Sequence, residues 1–210
     1  MTLRARCLIA AVAGATAAVL PARAQDKPLT VLYEIALDID RDGKPDRAAL
    51  VAREGEGFYS AARDWFMLGP GEQADLYVYL GVGDAPVDLA RAPSLIKPGI
   101  ANAERNNQIF PLEASDKGSL KVKTAYNLFS NYAEETLTVV QRNGAFVVGG
   151  LTASFEWKSG EQGSCDINYL SGKATAATGA DGKPRALRGT FKPVNLSDWS
   201  QKDYPKACRF

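Results

Sequence analysis

Apolar residues in this chain recur at every second position, which restricts most of it to half-buried β-strands. Leu76, Val78 and Leu80 fall on one face of a strand, while Tyr77 and Tyr79 fall on the other. Leu120, Val122 and Thr124 alternate in the same way with Lys121, Lys123 and Ala125. The run Thr136-Leu137-Thr138-Val139-Val140 leads into Asn143-Gly144 and out through Ala145-Phe146-Val147-Val148. Asn-Gly between apolar runs is the strongest short hairpin signal, because both central residues of such a turn need positive φ. The returning strand is expected to continue through Phe155, Glu156 and Trp157, with a bulge at Gly149-Gly150. Gly160 to Gly163 should then turn into a strand over Cys165–Leu170. A last hairpin should turn at Asp181-Gly182 and return through Leu187 to Phe191.

Helical signals are few. Tyr59–Leu68 is expected to form a short helix with Ser60 as its cap and Trp65, Phe66 and Leu68 buried. Asn127–Glu135 is expected to hold another turn, since Leu128 and Tyr132 would share a face. The stretch from Ala92 to Asn107 is rich in Pro, Gly and Asn and reads as loop. These features predict a mainly β fold: a single antiparallel β domain of hairpins, sandwich-like or partial-propeller-like, with one or two short helices. The domain should span residues 25–210, with no linker composition inside it.

The first 24 residues read as a signal peptide. Arg4 and Arg6 precede an apolar stretch from Leu8 to Leu20, and Ala22-Arg23-Ala24 fits a small-x-small cleavage site. The mature chain should therefore begin at Gln25 and be periplasmic or secreted. Cys7 precedes the apolar stretch and would be lost with it, and no later run suggests a transmembrane segment. The full chain carries 25 basic and 24 acidic residues; without Arg4, Arg6 and Arg23 the balance is 22 to 24, a net charge of −2. No basic cluster points to nucleic acid. Cys165 and Cys208 are the cysteines that remain, and an even number in an oxidising compartment predicts a disulfide holding the C-terminal tail to the body. The chain has no histidine. This excludes Ser-His-Asp and Cys-His catalysis and His-ligated zinc in their ordinary forms.

The segment Asp38-Ile39-Asp40-Arg41-Asp42-Gly43-Lys44-Pro45-Asp46 lies between the apolar runs Val31–Leu37 and Arg47–Val51. Such crowding of carboxylates is costly unless a cation shares them, and calcium takes six to eight oxygens from flexible loops. A solvated turn braced by Arg41, Lys44 and Arg47 is the simpler alternative. The pattern D-x-D-x-D-G-x-x-D, followed by the strand Ala48-Ala49-Leu50-Val51, resembles the calcium loop of FG-GAP and VCBS repeats. That resemblance implies side-chain ligands from Asp38, Asp40 and Asp42, a backbone carbonyl from Lys44, and closure by Asp46. Gly43 would take the sharp turn. An EF-hand is not implied, because Ala49 stands where that loop needs a bidentate Glu. Phe146–Lys173, with Asn168-Tyr169-Leu170-Ser171-Gly172-Lys173, is similar to the C-terminal part of small exported bacterial proteins carrying the same acidic loop. Asp181-Gly182-Lys183-Pro184-Arg185 echoes the acidic loop but lacks its flanking acids.

The expected function is a non-catalytic binding or envelope-associated role for a calcium-stabilised β domain, with an envelope protein or glycan as partner. One alternative is a carboxylate-dependent hydrolase of envelope glycans, which needs two of Glu134, Glu135 and Glu156 to converge. Another is a protein-inhibitor or adhesion module, which needs an exposed apolar patch, with Ala92–Phe110 a candidate. Tyr126, Phe129 and Tyr132 are candidates for an aromatic platform, and Asn102–Asn107 for a polar recognition loop.

Overall fold

The computed structural model describes residues 27–128, 131–178, 182–205 and 208. The segment expected to be a signal peptide, Gln25, Phe129 and Asp181 lie outside the described residues. The strands run in chain order: β1 (Leu29–Leu37), β2 (Asp46–Arg53), β3 (Phe58–Ser60), β4 (Trp65–Met67), β5 (Gln73–Tyr79), β6 (Leu95–Asn102), β7 (Gln108–Ile109) and β8 (Glu113–Ala114). They continue with β9 (Leu120–Leu128), β10 (Asn131–Arg142), β11 (Ala145–Glu156), β12 (Gln162–Asn168), β13 (Lys173–Thr178), β14 (Arg185–Ala186) and β15 (Val194–Asn195). One sheet has the order β1-β2-β5-β6. The other runs β14-β13-β12-β11-β10-β9-β7-β4-β3, with β15 also pairing with β11 and β8 with β9. Every pairing is antiparallel. The fold is a mainly β domain, and helix among the described residues is confined to a 3₁₀ turn at Gln201–Asp203.

The two sheets share one core. Ala48, Leu50, Leu76 and Val78 from the smaller sheet meet Leu120, Val122, Leu137, Val139, Leu151 and Ile167 from the larger. Two sheets on one core make the domain sandwich-like, one of the two arrangements expected from the sequence. The opposite face of the smaller sheet is also covered. Ala49, Val51, Tyr77 and Tyr79 form a second cluster under Val82, Val87 and Leu89. Burial on both faces explains why Ala48–Ala52 is apolar at every position rather than at alternate ones.

The β10–β11 hairpin forms at Asn143-Gly144, with φ of 52° and 77°. Thr138 faces Gly150 and Val139 faces Val148, so Gly149 is the extra residue of a bulge. β13 and β14 pair in the last hairpin, but the returning strand is only Arg185–Ala186. The strand expected over Cys165–Leu170 instead runs Gln162–Asn168. Gly163 can join it because the Phe155 ring occupies the space a Cβ would need.

Three local expectations are corrected. Tyr59–Leu68 is not a helix but the β3–β4 hairpin, with Phe58 opposite Met67 and Ser60 opposite Trp65. Its aromatic side chains suit a pleated edge, and β4 gains ladder bonds to β7 that a helix of this length would lack. The described residues of Asn127–Glu135 are not helical either: β9 and β10 pair from Leu128↔Asn131 onwards. Leu95–Asn102 is a strand rather than loop. β6 lies at a sheet edge, which tolerates Pro98. Its pairing slips between Ala74 and Leu76, and there Gly99 adopts φ 57° and donates its N–H to Asp75 Oδ1 at 2.8 Å.

Candidate functional site

The acidic loop joins β1 to β2, and Leu37 pairs with Asp46 across its neck. Ile39 is 1% exposed and anchors the loop in the core. Asp46 is fully buried and serves the loop's backbone. Its Oδ2 accepts the Ile39 N–H at 2.8 Å, and its Oδ1 accepts the Gly81 N–H at 2.7 Å. These bonds fasten the loop to the end of β5. Asp38, Asp40 and Asp42 instead turn towards one another, each offering an oxygen within 4.8 Å of the others. Asp46 is not part of that cluster. Lys44 enters the loop through its amide and ammonium, which donate to Asp42 Oδ1 at 2.8 Å and Oδ2 at 3.0 Å. Gly43 is required by its φ of 82°, since a Cβ there would meet open space.

The carboxylates are unequally satisfied. Asp38 Oδ2 accepts the Gly43 N–H at 3.1 Å, and Asp40 Oδ1 accepts the Asp42 N–H at 3.1 Å. Asp38 Oδ1 is buried without a hydrogen-bond partner among the described residues. Asp40 titrates above the ordinary carboxylate range, chiefly through desolvation. Repulsion from Asp46, Asp42 and Asp38 adds to this, against the opposing Asp42 N–H bond. Asp42 is lowered by its hydrogen bonds from Lys44. A hard cation would match these oxygens, relieve their repulsion and give Asp38 Oδ1 a partner. It would displace the Lys44 ammonium from Asp42, a small loss for an exposed pair.

The loop also touches the other sheet. Arg41, at φ 61°, donates to the Lys117 carbonyl at 2.6 Å in the turn between β8 and β9. In that turn Gly118 has φ 67°, and a Cβ on it would collide with the Asp38 carbonyl. Gly118→Ala is therefore expected to lower stability by about 1–3 kcal/mol through strain and loop displacement. Urea unfolding would measure this. Gly144→Ala, with positive φ but no neighbour to strike, should cost less. Arg47 turns away from the carboxylates, approaching Glu34 at 3.7 Å and bonding the Asp84 carbonyl.

A second polar assembly lies on the inner face of the larger sheet. Thr124, Glu135, Ala153 and Cys165 are successive cross-strand neighbours from β9 to β12. Cys165 is bonded to Cys208, with Cα atoms 5.5 Å apart. The chain leading to Cys208 adds Leu196, Trp199 and Tyr204 to the core. Lys97 holds this segment by donating to the carbonyls of Ser197 at 3.2 Å and Trp199 at 2.6 Å. Tyr204 thereby meets Glu135. Glu135 Oε2 accepts from the Tyr204 hydroxyl and from Arg105 at 3.2 Å. Its Oε1 accepts from Asn106 Nδ2 at 3.2 Å and Thr124 Oγ1 at 3.4 Å. Burial, then the Glu135 charge, raises the Tyr204 pKa far above the ordinary tyrosine value, so the phenol stays a donor.

These groups form one end of a cleft of about 640 Å³. Sequence reasoning singled out Glu134, Glu135, Tyr126 and the loop Asn102–Asn107, of which Asn102, Glu104, Arg105 and Asn106 line the cleft with them, but gave Tyr204 no role there. The three candidate glutamates meet only in pairs: Glu134 and Glu135 both line the cleft, on opposite faces of β10, while Glu134 and Glu156 line a second depression, so no one pocket holds all three. Glu134 accepts from the Tyr132 hydroxyl at 2.7 Å and pairs with Lys123 at 3.0 Å. Tyr126 and Tyr132 lie on opposite faces, so they form no common platform. Within Asn102–Asn107, Asn106 is buried. It accepts the Asn102 N–H at 2.9 Å and donates to the Ile100 carbonyl at 3.2 Å. In Ala92–Phe110 the large exposed apolar side chain is Ile96, whereas Phe58 and Tyr59 are the exposed aromatics, on β3. No protein-family model, no curated protein and no solved structure matches the chain.

Proposed function

We propose that this chain is an exported envelope domain, periplasmic or secreted, that acts by binding rather than catalysis and is stabilised by one calcium ion in the 38–46 loop. The observation that carries the metal reading is the buried, unpartnered Asp38 Oδ1 beside the Asp40 and Asp42 carboxylates. Asp38, Asp40 and Asp42 would supply carboxylate oxygens, with Lys44 offering its carbonyl. Asp46 orders the loop from beneath through Ile39 and Gly81. The likeness of D-x-D-x-D-G-x-x-D to FG-GAP and VCBS loops agrees with this assignment. A structural role follows from placement: the ion would sit where the β1–β2 loop meets the β8–β9 turn, joining the two sheets. The leader-like start and the Cys165–Cys208 bond support export to an oxidising compartment.

Extracellular calcium modules bind at ~10⁻⁴–10⁻³ M, so ~1 mM calcium should add about 0.4–1.4 kcal/mol. The melting temperature should then rise by a few degrees, and Asp42→Ala should abolish that rise. The pH dependence has a definite sign. Protons compete with the ion for Asp40, whose pKa is raised, so the calcium increment should shrink and then vanish as pH falls through the carboxylate range. Differential scanning calorimetry across pH, with and without calcium, checks both points. An increment that persists in Asp42→Ala would place the ion elsewhere.

A further inference from the structure

We propose that the cleft beside Glu135 is the ligand site of this domain and that it takes a neutral saccharide chain. The inference rests on the binding reading above and names the place and ligand class it left open. The cleft floor is made of small residues on adjacent strands, Ala133 on β10 and Ala153 on β11. Tyr126 stands on one side, directly across from Ala133. Trp157 stands on the other, its ring 5.3 Å from that of Phe155, which backs it. The far end is polar: Glu135, Arg105, Asn106 and Tyr204.

This arrangement has two kinds of surface at right places for an amphiphilic ring. A pyranose presents C–H groups on its faces and hydroxyls on its edge. The faces suit the aromatic side walls and alanine floor, and the edge suits a wall of amide, guanidinium and carboxylate groups. Charge narrows the ligand class. Arg105 is paired with Glu135 at 3.2 Å, and Glu134 with Lys123 at 3.0 Å. Glu104, exposed at the rim, adds negative charge and disfavours an anion. An acyl chain would have to desolvate the Arg105–Glu135 pair without replacing its water contacts. A cleft of about 640 Å³ has room for a short oligosaccharide. Both Glu135 oxygens already accept two hydrogen bonds each, so this carboxylate serves to hold the wall rather than to move protons.

The test is titration calorimetry of the mature, oxidised protein with chitotetraose and cellotetraose in calcium-containing buffer. Saturable binding is expected for at least one of them. Trp157→Ala should weaken it roughly tenfold or more by removing an aromatic wall. Ala133→Leu, which fills the floor without opening the core, should abolish it at an unchanged melting temperature. No saturable heat with either sugar overturns the saccharide assignment. Binding that survives Ala133→Leu overturns the location. Displacement of the sugar by spermidine at low concentration would overturn the neutral class. An intact calcium-dependent melting shift in the same samples separates failure of the cleft assignment from failure of the metal reading.

Discussion

Removing the Cys165–Cys208 bond is expected to be among the most damaging changes available to this protein. The bond closes a loop with a sequence separation of 43, for which chain entropy gives about 4 kcal/mol. That figure is an upper estimate, because the tail also docks through its own contacts. The tail it fastens carries Trp199 and Tyr204, whose rings lie 5.3 Å apart, and Trp199 packs edge-on against Tyr169 at 5.7 Å. In Cys165→Ala/Cys208→Ala, this aromatic group is held by burial and by the Lys97 bonds to Ser197 and Trp199. Urea unfolding should show a loss of roughly 3–4 kcal/mol. A loss below about 1 kcal/mol would mean that the tail docks without its covalent tether. Lys97→Met in the double-cysteine variant should then release the near-ultraviolet signal of Trp199 before global unfolding.

The second large effect is expected at Glu135. Its side chain is 16% exposed and accepts hydrogen bonds from four side chains. Glu135→Ala leaves the Arg105 guanidinium, the Tyr204 hydroxyl and the Asn106 amide without their shared acceptor. The cost should be about 2–4 kcal/mol, more than the net worth of any one of those bonds. Arg105 is 31% exposed at its side chain, so water can recover part of its loss, which sets the upper bound. Glu135→Gln should cost less, because the amide oxygen still accepts. A double-mutant cycle with Tyr204→Phe should give a coupling of about 1–2 kcal/mol. Additive effects of the two substitutions would show that the short Tyr204–Glu135 bond contributes nothing specific.

The antiparallel β fold was legible because its main hairpins announce themselves locally, whereas its choice between a sandwich and a partial propeller was not. Asn143-Gly144 dictates a turn by φ alone, and Gly149 marks the bulge that keeps Val139 and Val148 facing the same core. The errors fell where tertiary context decides. Phe58–Met67 carries apolar residues close together, and only pairing with β7 tells a strand edge from a helix. β6 contains Pro98 and Gly99, which read as breakers, yet an edge strand with a slipped register accommodates both. The acidic loop was legible as a carboxylate cluster, but the division of labour within it was not. Ile39 and Asp46 are separated by seven residues, and nothing local says that one plugs the core and the other bonds its amide. The Glu135 assembly was hidden for a different reason. It joins residues distant in sequence, and only the Cys165–Ala153–Glu135 row, once its register is known, carries Tyr204 to Glu135.

Titration calorimetry with calcium is the most direct test of the central claim. The mature wild-type protein should bind one calcium ion per chain with a dissociation constant of ~10⁻⁴–10⁻³ M. Asp38→Asn should abolish that binding, because it removes the charge at the buried oxygen while nearly preserving shape, and it should leave the fold intact. Absence of binding heat at millimolar calcium, together with an unchanged melting curve, would contradict the account and leave the loop as a turn held by its own contacts, those of Ile39, Arg41, Gly43, Lys44 and Asp46.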